Sequence, residues 1–213
     1  MNTFSFDVDE AYAKKNNEFL RDTKRLQTSA FFFGVVLLAL GGFLYYLADG
    51  AVWGWMVMIM MGIMAIISFI MIPVLPRQVG SASSLYQQYP LIPAVVAEIN
   101  PRDVVLLALV NINADPSMQP RWGLAVRTIN RLGVHDRKLG ERVPSVAVSG
   151  RRTVRNQDRW DEVSPMPITW GTTDKDVVRE AEKTIPHDLW NKLEKNRNKL
   201  AAVKETRMNL LEL

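Results

Sequence analysis

Cysteine is absent from this chain of 213 residues. That excludes disulfides, thiolate zinc sites, cysteine-ligated iron–sulfur clusters and cysteine nucleophiles, and it leaves the redox compartment unreadable. Histidine is scarce: His135 and His187 are the two, far apart in the chain. A histidine-dependent triad needs a nucleophile and an orienting acid beside the ring. Asp136 adjoins His135, but neighbours on a strand point to opposite faces. No G-x-S-x-G elbow is present, because Ser149 has Ala147 and Arg151 where the glycines would stand. No Walker motif occurs, and Gly133 to Gly140 does not fit G-x-G-x-x-G. The expected reading is a protein that is not an enzyme and has no cofactor, metal site or catalytic residue.

The most telling lack is of charge. No charged side chain lies between Arg25 and Asp49, nor between Asp49 and Arg77. Both intervals are rich in Phe, Leu, Val, Ile and Met. About 20 apolar helical residues cross a hydrocarbon core roughly 30 Å thick. Two such spans meeting at Asp49-Gly50 predict a transmembrane helical hairpin over 29–76. The runs are too long for the core of a signal peptide. Neither span carries an ionisable group of the kind a transport pathway or proton relay uses. The hairpin therefore reads as an anchor or docking surface. The methionines between Met56 and Met71 read as adaptable packing, since no His or Cys supports a copper site.

Lys14, Lys15, Arg21, Lys24 and Arg25 precede the first span, and Arg77 follows the second. The connecting turn has no basic residue. The positive-inside rule then places both termini in the cytoplasm, at an inner membrane. Tyr45, Tyr46, Trp53 and Trp55 flank the turn, as interfacial aromatics do. Pro73 and Pro76 predict that the second helix kinks or stops there.

Outside the hairpin, Phe4 to Asp9 alternates as a short strand would, and Ala11 to Arg25 reads as a polar helix within an N-terminal arm, 1–28. Residues 77–89 read as a linker. A β domain follows over 90–171. Leu91 to Glu98 and Val104 to Ile112 form a predicted hairpin around Asn100-Pro101-Arg102-Asp103. Trp122 to Ile129 and Val143 to Val148 are further strands. Val163 to Trp170 contains Pro165 and Pro167, so any strand there belongs at an edge. Residues 172–213 switch to helical periodicity. Leu189, Leu193, Leu200, Val203 and Leu210 mark an amphipathic helix running to the C-terminus. The fold expected is α+β: a two-helix transmembrane hairpin, then a small cytoplasmic β-barrel or sandwich of about five strands, then two C-terminal helices.

One local cluster stands out. Arg151, Arg152, Arg155 and Arg159, with Trp160 after them, fall in a polar loop. Closely spaced guanidinium groups can hold phosphate bidentately, and anionic lipid headgroups are the phosphates nearest a membrane protein. A solvated loop neutralised by Asp158, Asp161 and Glu162 is the competing reading. No aromatic stacking platform accompanies the patch, so nucleic acid is not an expected partner. Trp122, Trp160 and Trp170 read as core or edge packing.

Four stretches carry a resemblance: Pro90 to Asn111 (PLIPAVVAEINPRDVVLLALVN), Pro120 to Ala125 (PRWGLA), Gly140 to Val148 (GERVPSVAV) and Ser164 to Ile168 (SPMPI). They resemble a family of corynebacterial membrane proteins that carries a domain of unknown function. The likeness implies an actinobacterial inner-membrane protein and carries over no catalytic residue. More loosely, the layout is similar to accessory subunits of the respiratory supercomplex that joins a cytochrome bc complex to a cytochrome oxidase. Any role there would be structural. The expected partners are membrane lipids and a membrane protein complex or a second copy of the chain.

Overall fold

The structure is a computed structural model and describes residues 4–115, 117–150, 152–153 and 157–213, with the backbone alone at 78 and 79. The chain forms two compact units: Glu18–Gly80 is one, and the residues up to Asn17 join Ser81–Leu213 in the other.

The hairpin unit is α2 (Glu18–Leu47) and α3 (Val52–Val79), and it follows a short first helix, α1 (Glu10–Asn16). Asn17 is extended, so the polar helix breaks there before α2 begins. Asp49 and Gly50 both adopt positive φ and reverse the chain. Both helices are long and apolar enough to cross a membrane, and only 17% of the most apolar window of α2 and 6% of that of α3 is buried within the protein. A core helix of a soluble protein would hide these side chains. Here Phe32, Phe43, Ile59 and Ile66 all face outward. The helices touch closely along one line. A Cβ at Gly34 would stand 2.8 Å from the ring of Phe69, so any larger residue would have to push that ring aside.

The prolines do not stop α3. It runs through Pro73 and Pro76 and ends at Gly80. The reason is local compensation. Pro76 cannot donate to the carbonyl of Ile72, and Gln27 of α2 donates to that oxygen instead, at 2.7 Å. Ser68 Oγ likewise donates to Ala30 O at 2.8 Å.

In the other unit, Phe4–Asp9 forms no strand. Instead Phe4 is buried, Phe6 meets the Tyr86 ring edge-on, and Asp9 N donates to Gly171 O. The presumed linker is a helix, α4 (Ala82–Gln88), capped by Ser81 accepting from Ser84 N. Its Leu85 and Tyr86 are buried, and Glu10 accepts from Ser83 N and Oγ. These apolar and capping signals lie in a segment too short for periodicity to reveal.

The strands are β1 (Leu91–Ile92), β2 (Ala94–Ile99), β3 (Val104–Asn111), β4 (Trp122–Ile129), β5 (Ser145–Ser149), β6 (Val163–Pro167) and β7 (Leu210–Glu212). They make two antiparallel sheets, β1-β5-β6 and β2-β3-β4-β7. Neither closes into a barrel. The chain passes from one sheet to the other at Pro93, between β1 and β2, and Ile92, Ala108, Val110, Ala125, Ala147 and Val163 from both sheets share one core. The β2–β3 hairpin forms as expected, with Asn100 bonded to Asp103 through backbone and side chain. β6, with its prolines, lies at a sheet edge.

The C-terminal segment departs most from expectation. No single helix reaches the end. α5 (Lys175–Thr184) and α6 (His187–Lys195) are followed by a 3-10 turn, α7 (Leu200–Glu205) and β7. Asn196 Nδ2 turns back to Lys192 O, and Asn209 takes a positive φ. Leu193 and Val203 still reach the core, but Leu210 does so from a strand added beside β4.

Candidate functional site

Of the arginine loop, Arg152 and Arg159 are described, and Arg159 lies beside β7 through its contact with Glu212. Arg152 is exposed, and its guanidinium lies 4.5 Å from the centroid of the Trp160 ring. Trp160 is half-buried, packs against the shared core, and donates from its backbone N to Ile112 O at 2.7 Å. Arg159 Nη1 meets Glu212 Oε2 at 2.7 Å, and Arg121 Nε approaches the other oxygen of Glu212 at 3.4 Å. Asp161 accepts from both the backbone N and the hydroxyl of Thr153, and these bonds hold its carboxyl below the usual carboxylate range. Arg151 and Arg155 lie outside the described residues.

The cluster is therefore divided. Arg159 is committed to a carboxylate on the C-terminal strand. Arg152 is stacked on an aromatic ring with its charge toward solvent. Beside Trp160 lies a cleft of about 310 Å³, lined in part by Gln88, Tyr89, Asn111, Ser149 and Val163. Burial raises the pKa of Tyr89. Asn111 is occupied structurally, because its Oδ1 accepts from Asn113 N and Arg121 N.

A second concavity, of about 430 Å³, was not legible in the sequence. It is lined by His135, Glu141 and Arg142 from one loop and by Lys175, Arg179 and Glu182 from α5. The His135 side chain is only 7% exposed, with Nδ1 3.5 Å from Glu141 Oε1. Its Nε2 has no hydrogen-bond partner among the described residues. Burial lowers the His135 pKa, and the Glu141 carboxylate opposes that shift without overcoming it. A neutral ring at pH 7 makes the approach to Glu141 a weak contact rather than an ion pair. Arg142 bridges to Glu182 at 3.2 Å and sits 5.0 Å over the ring of Trp190. The lining residues include no Ser or Thr, so His135 has no hydroxyl nucleophile beside it there. Among the described residues no cluster of three His, Asp or Glu side chains could hold a metal ion.

Tryptophan placement follows the packing expectation. Trp170 is fully buried and donates from Nε1 to Arg131 O, while Trp122 is half-buried with Lys192 over its ring.

Two helices long and apolar enough to cross a membrane, joined to an α+β unit of antiparallel sheets, are the layout of a membrane protein. The chain belongs to the family DUF3239, a protein family of unknown function, whose pattern matches residues 77–201. It is also similar to a crystal structure of a "putative membrane protein from Corynebacterium diphtheriae", with 54% identity and a TM-score of 0.56. The match covers 58% of this chain and all of that one. No curated protein matches the chain. These likenesses support the actinobacterial membrane reading and do not extend to the respiratory supercomplex.

Proposed function

We propose that this is a non-enzymatic inner-membrane protein, anchored by the α2–α3 hairpin with both termini cytoplasmic, whose folded unit is an interaction module of a larger membrane assembly. The observation that carries the reading is the hairpin surface. Two helices present apolar side chains outward on nearly every face and hold no charge between Arg25 and Asp49 or between Asp49 and Arg77. Such a surface is stable in lipid or against other membrane helices, and it supplies no polar route across.

Extraction in mild detergent tests the assembly directly. Stoichiometric membrane proteins should co-purify, and subunits of a respiratory supercomplex are one group to probe for. A chain that always runs alone would sink the proposal. Orientation is read from single-cysteine variants, because the native chain has no competing thiol. Asp49→Cys should react with an impermeant reagent on spheroplasts freed of the cell envelope, and Leu213→Cys only after the membrane is opened.

A second reading is a tethered receptor for anionic lipid or a phosphorylated ligand at the Arg151–Arg159 loop. The outward charge of Arg152 over Trp160 favours it, and the engagement of Arg159 by Glu212 weakens it.

A further inference from the structure

The cytoplasmic-side end of the hairpin carries a feature that the anchoring role does not use. Arg21, Lys24, Arg25, Thr28, Ser29 and Phe32 line one open concavity, all on α2. Their spacing of three and four residues puts them on one face of the helix. Gln27, Ala30, Gly34 and Gly41, which meet α3, lie on the opposite face. The basic stripe therefore points away from the partner helix.

Its depth is fixed by the hairpin register. Gln27 pairs with Ile72 and Ala30 with Ser68. Continuing that register by about one turn brings Arg77 level with the Arg21–Arg25 turn. The charge-free lengths of both helices thus start at one common level, where a bilayer's headgroups would lie.

Along the stripe the chemistry changes in order. Lys24 and Arg25 come first, the hydroxyls of Thr28 and Ser29 lie roughly 6 Å deeper, and Phe32 lies about one turn below them. A phospholipid has the same sequence of groups: phosphate, ester-bearing glycerol, then acyl chain. Lys24 has no ion-pair partner among the described residues. Arg25 reaches Asp22 only at 3.9 Å with both side chains exposed, and Arg21 reaches Glu18 at 3.8 Å. The Arg25 pair is long and wet, which leaves that cation available, whereas Glu18 is buried beside Arg21. Thr28 Oγ1 donates to Lys24 O, which keeps its lone pairs for accepting.

We propose that this face of α2 is a binding site for an anionic phospholipid, with Lys24 and Arg25 on the phosphate, Thr28 and Ser29 at the glycerol level and Phe32 against an acyl chain. The proposal rests on the membrane reading of the hairpin and is separate from the Arg151–Arg159 loop.

The full-length chain in nanodiscs of phosphatidylcholine with a minority of phosphatidylglycerol provides the test. Lipids retained after transfer to detergent are counted by native mass spectrometry. The wild-type chain should keep phosphatidylglycerol in preference to phosphatidylcholine. Lys24→Gln with Arg25→Gln should lower that preference by roughly ten- to thirtyfold, from about 1 kcal/mol per basic residue near a charged surface. Excess inorganic phosphate should not displace the lipid. An unchanged preference in the double variant, no preference in the wild type or displacement by phosphate would each overturn the site. Carbonate extraction of the same preparations separates the two ideas. If the chain washes off bilayers, the membrane reading itself fails. If it stays inserted without lipid selectivity, only this site does.

Discussion

Gln27 Nε2 donates to the carbonyl oxygen of Ile72 at 2.7 Å, the oxygen that Pro76 leaves without its helical donor. One amide from α2 thus repairs a break in α3. The bond satisfies a carbonyl that the proline orphans, and α3 continues past it to Val79.

Gln27→Leu should destabilise the hairpin by about 0.6–2 kcal/mol, the range for interhelical hydrogen bonds in membranes. Pro76→Ala restores an N–H one turn below Ile72, so Gln27→Leu should cost less in that background. A double-mutant cycle on detergent-solubilised chain, unfolded with a denaturing detergent, reads the coupling. Equal costs in both backgrounds would break the link between the two residues.

Tyr86 is almost fully buried, and its hydroxyl donates to Pro167 O at 2.9 Å, tying α4 to the end of β6. Tyr86→Phe leaves that carbonyl alone and should cost about 1–3 kcal/mol. Burial pushes the phenol far above its ordinary value. A raised folded-state pKa means stability is complete below the unfolded pKa of about 10 and declines as pH climbs beyond it. Thermal melts between neutral and strongly alkaline pH should show this decline in wild type and a shallower one in Tyr86→Phe.

His135 acts in the other direction. Burial lowers its pKa despite Glu141, Glu182 and Asp136 nearby. The folded ring binds its proton less readily than the unfolded one, so stability is present above about pH 6.5 and falls as pH drops below it. His135→Phe should flatten that limb between about pH 6.5 and 5. Asp161 and Glu10, both held low by hydrogen bonds, lose their contribution only in the carboxylate range, so the two limbs separate on the pH axis.

Glu212 faces both Arg121 and Arg159, with all three side chains more than a third exposed. Glu212→Gln should change stability by less than about 1 kcal/mol, as exposed pairs do. It would also remove the local counter-charge from two cations. If the arginine loop is an anion receptor, attachment to phosphatidylglycerol vesicles should strengthen several-fold at low salt. Unaltered attachment would leave the loop as a solvated edge.

Removing Leu210–Leu213 should uncover the outer edge of β4. Three backbone pairings of β7 and the bond from Leu213 N to Trp122 O would be lost. The exposed strand edge should favour aggregation, measurable by light scattering during thermal unfolding.

Much of this protein was legible in one dimension. The uncharged intervals around Asp49 specify the hairpin, because length and hydropathy are local quantities. Alternation and turn residues locate the strands between Leu91 and Val148, and Pro165 with Pro167 assign β6 to an edge. Tertiary structure decided what depends on distant partners. Gln27 answers Pro76 across the hairpin, which no local rule about proline could foresee. Phe4–Asp9 packs on α4 and Gly171 through Phe6 and Asp9 rather than forming a strand. The segment after Glu205 leaves the helical pattern and pairs with the open edge of β4 through Leu210 and Leu211. His135 meets α5 only after the chain has folded. The four arginines are close in sequence, yet Glu212 from the far end determines how Arg159 uses its charge. Hydrophobic length is encoded residue by residue, whereas pairing of polar groups is settled by whichever partner folding brings within reach.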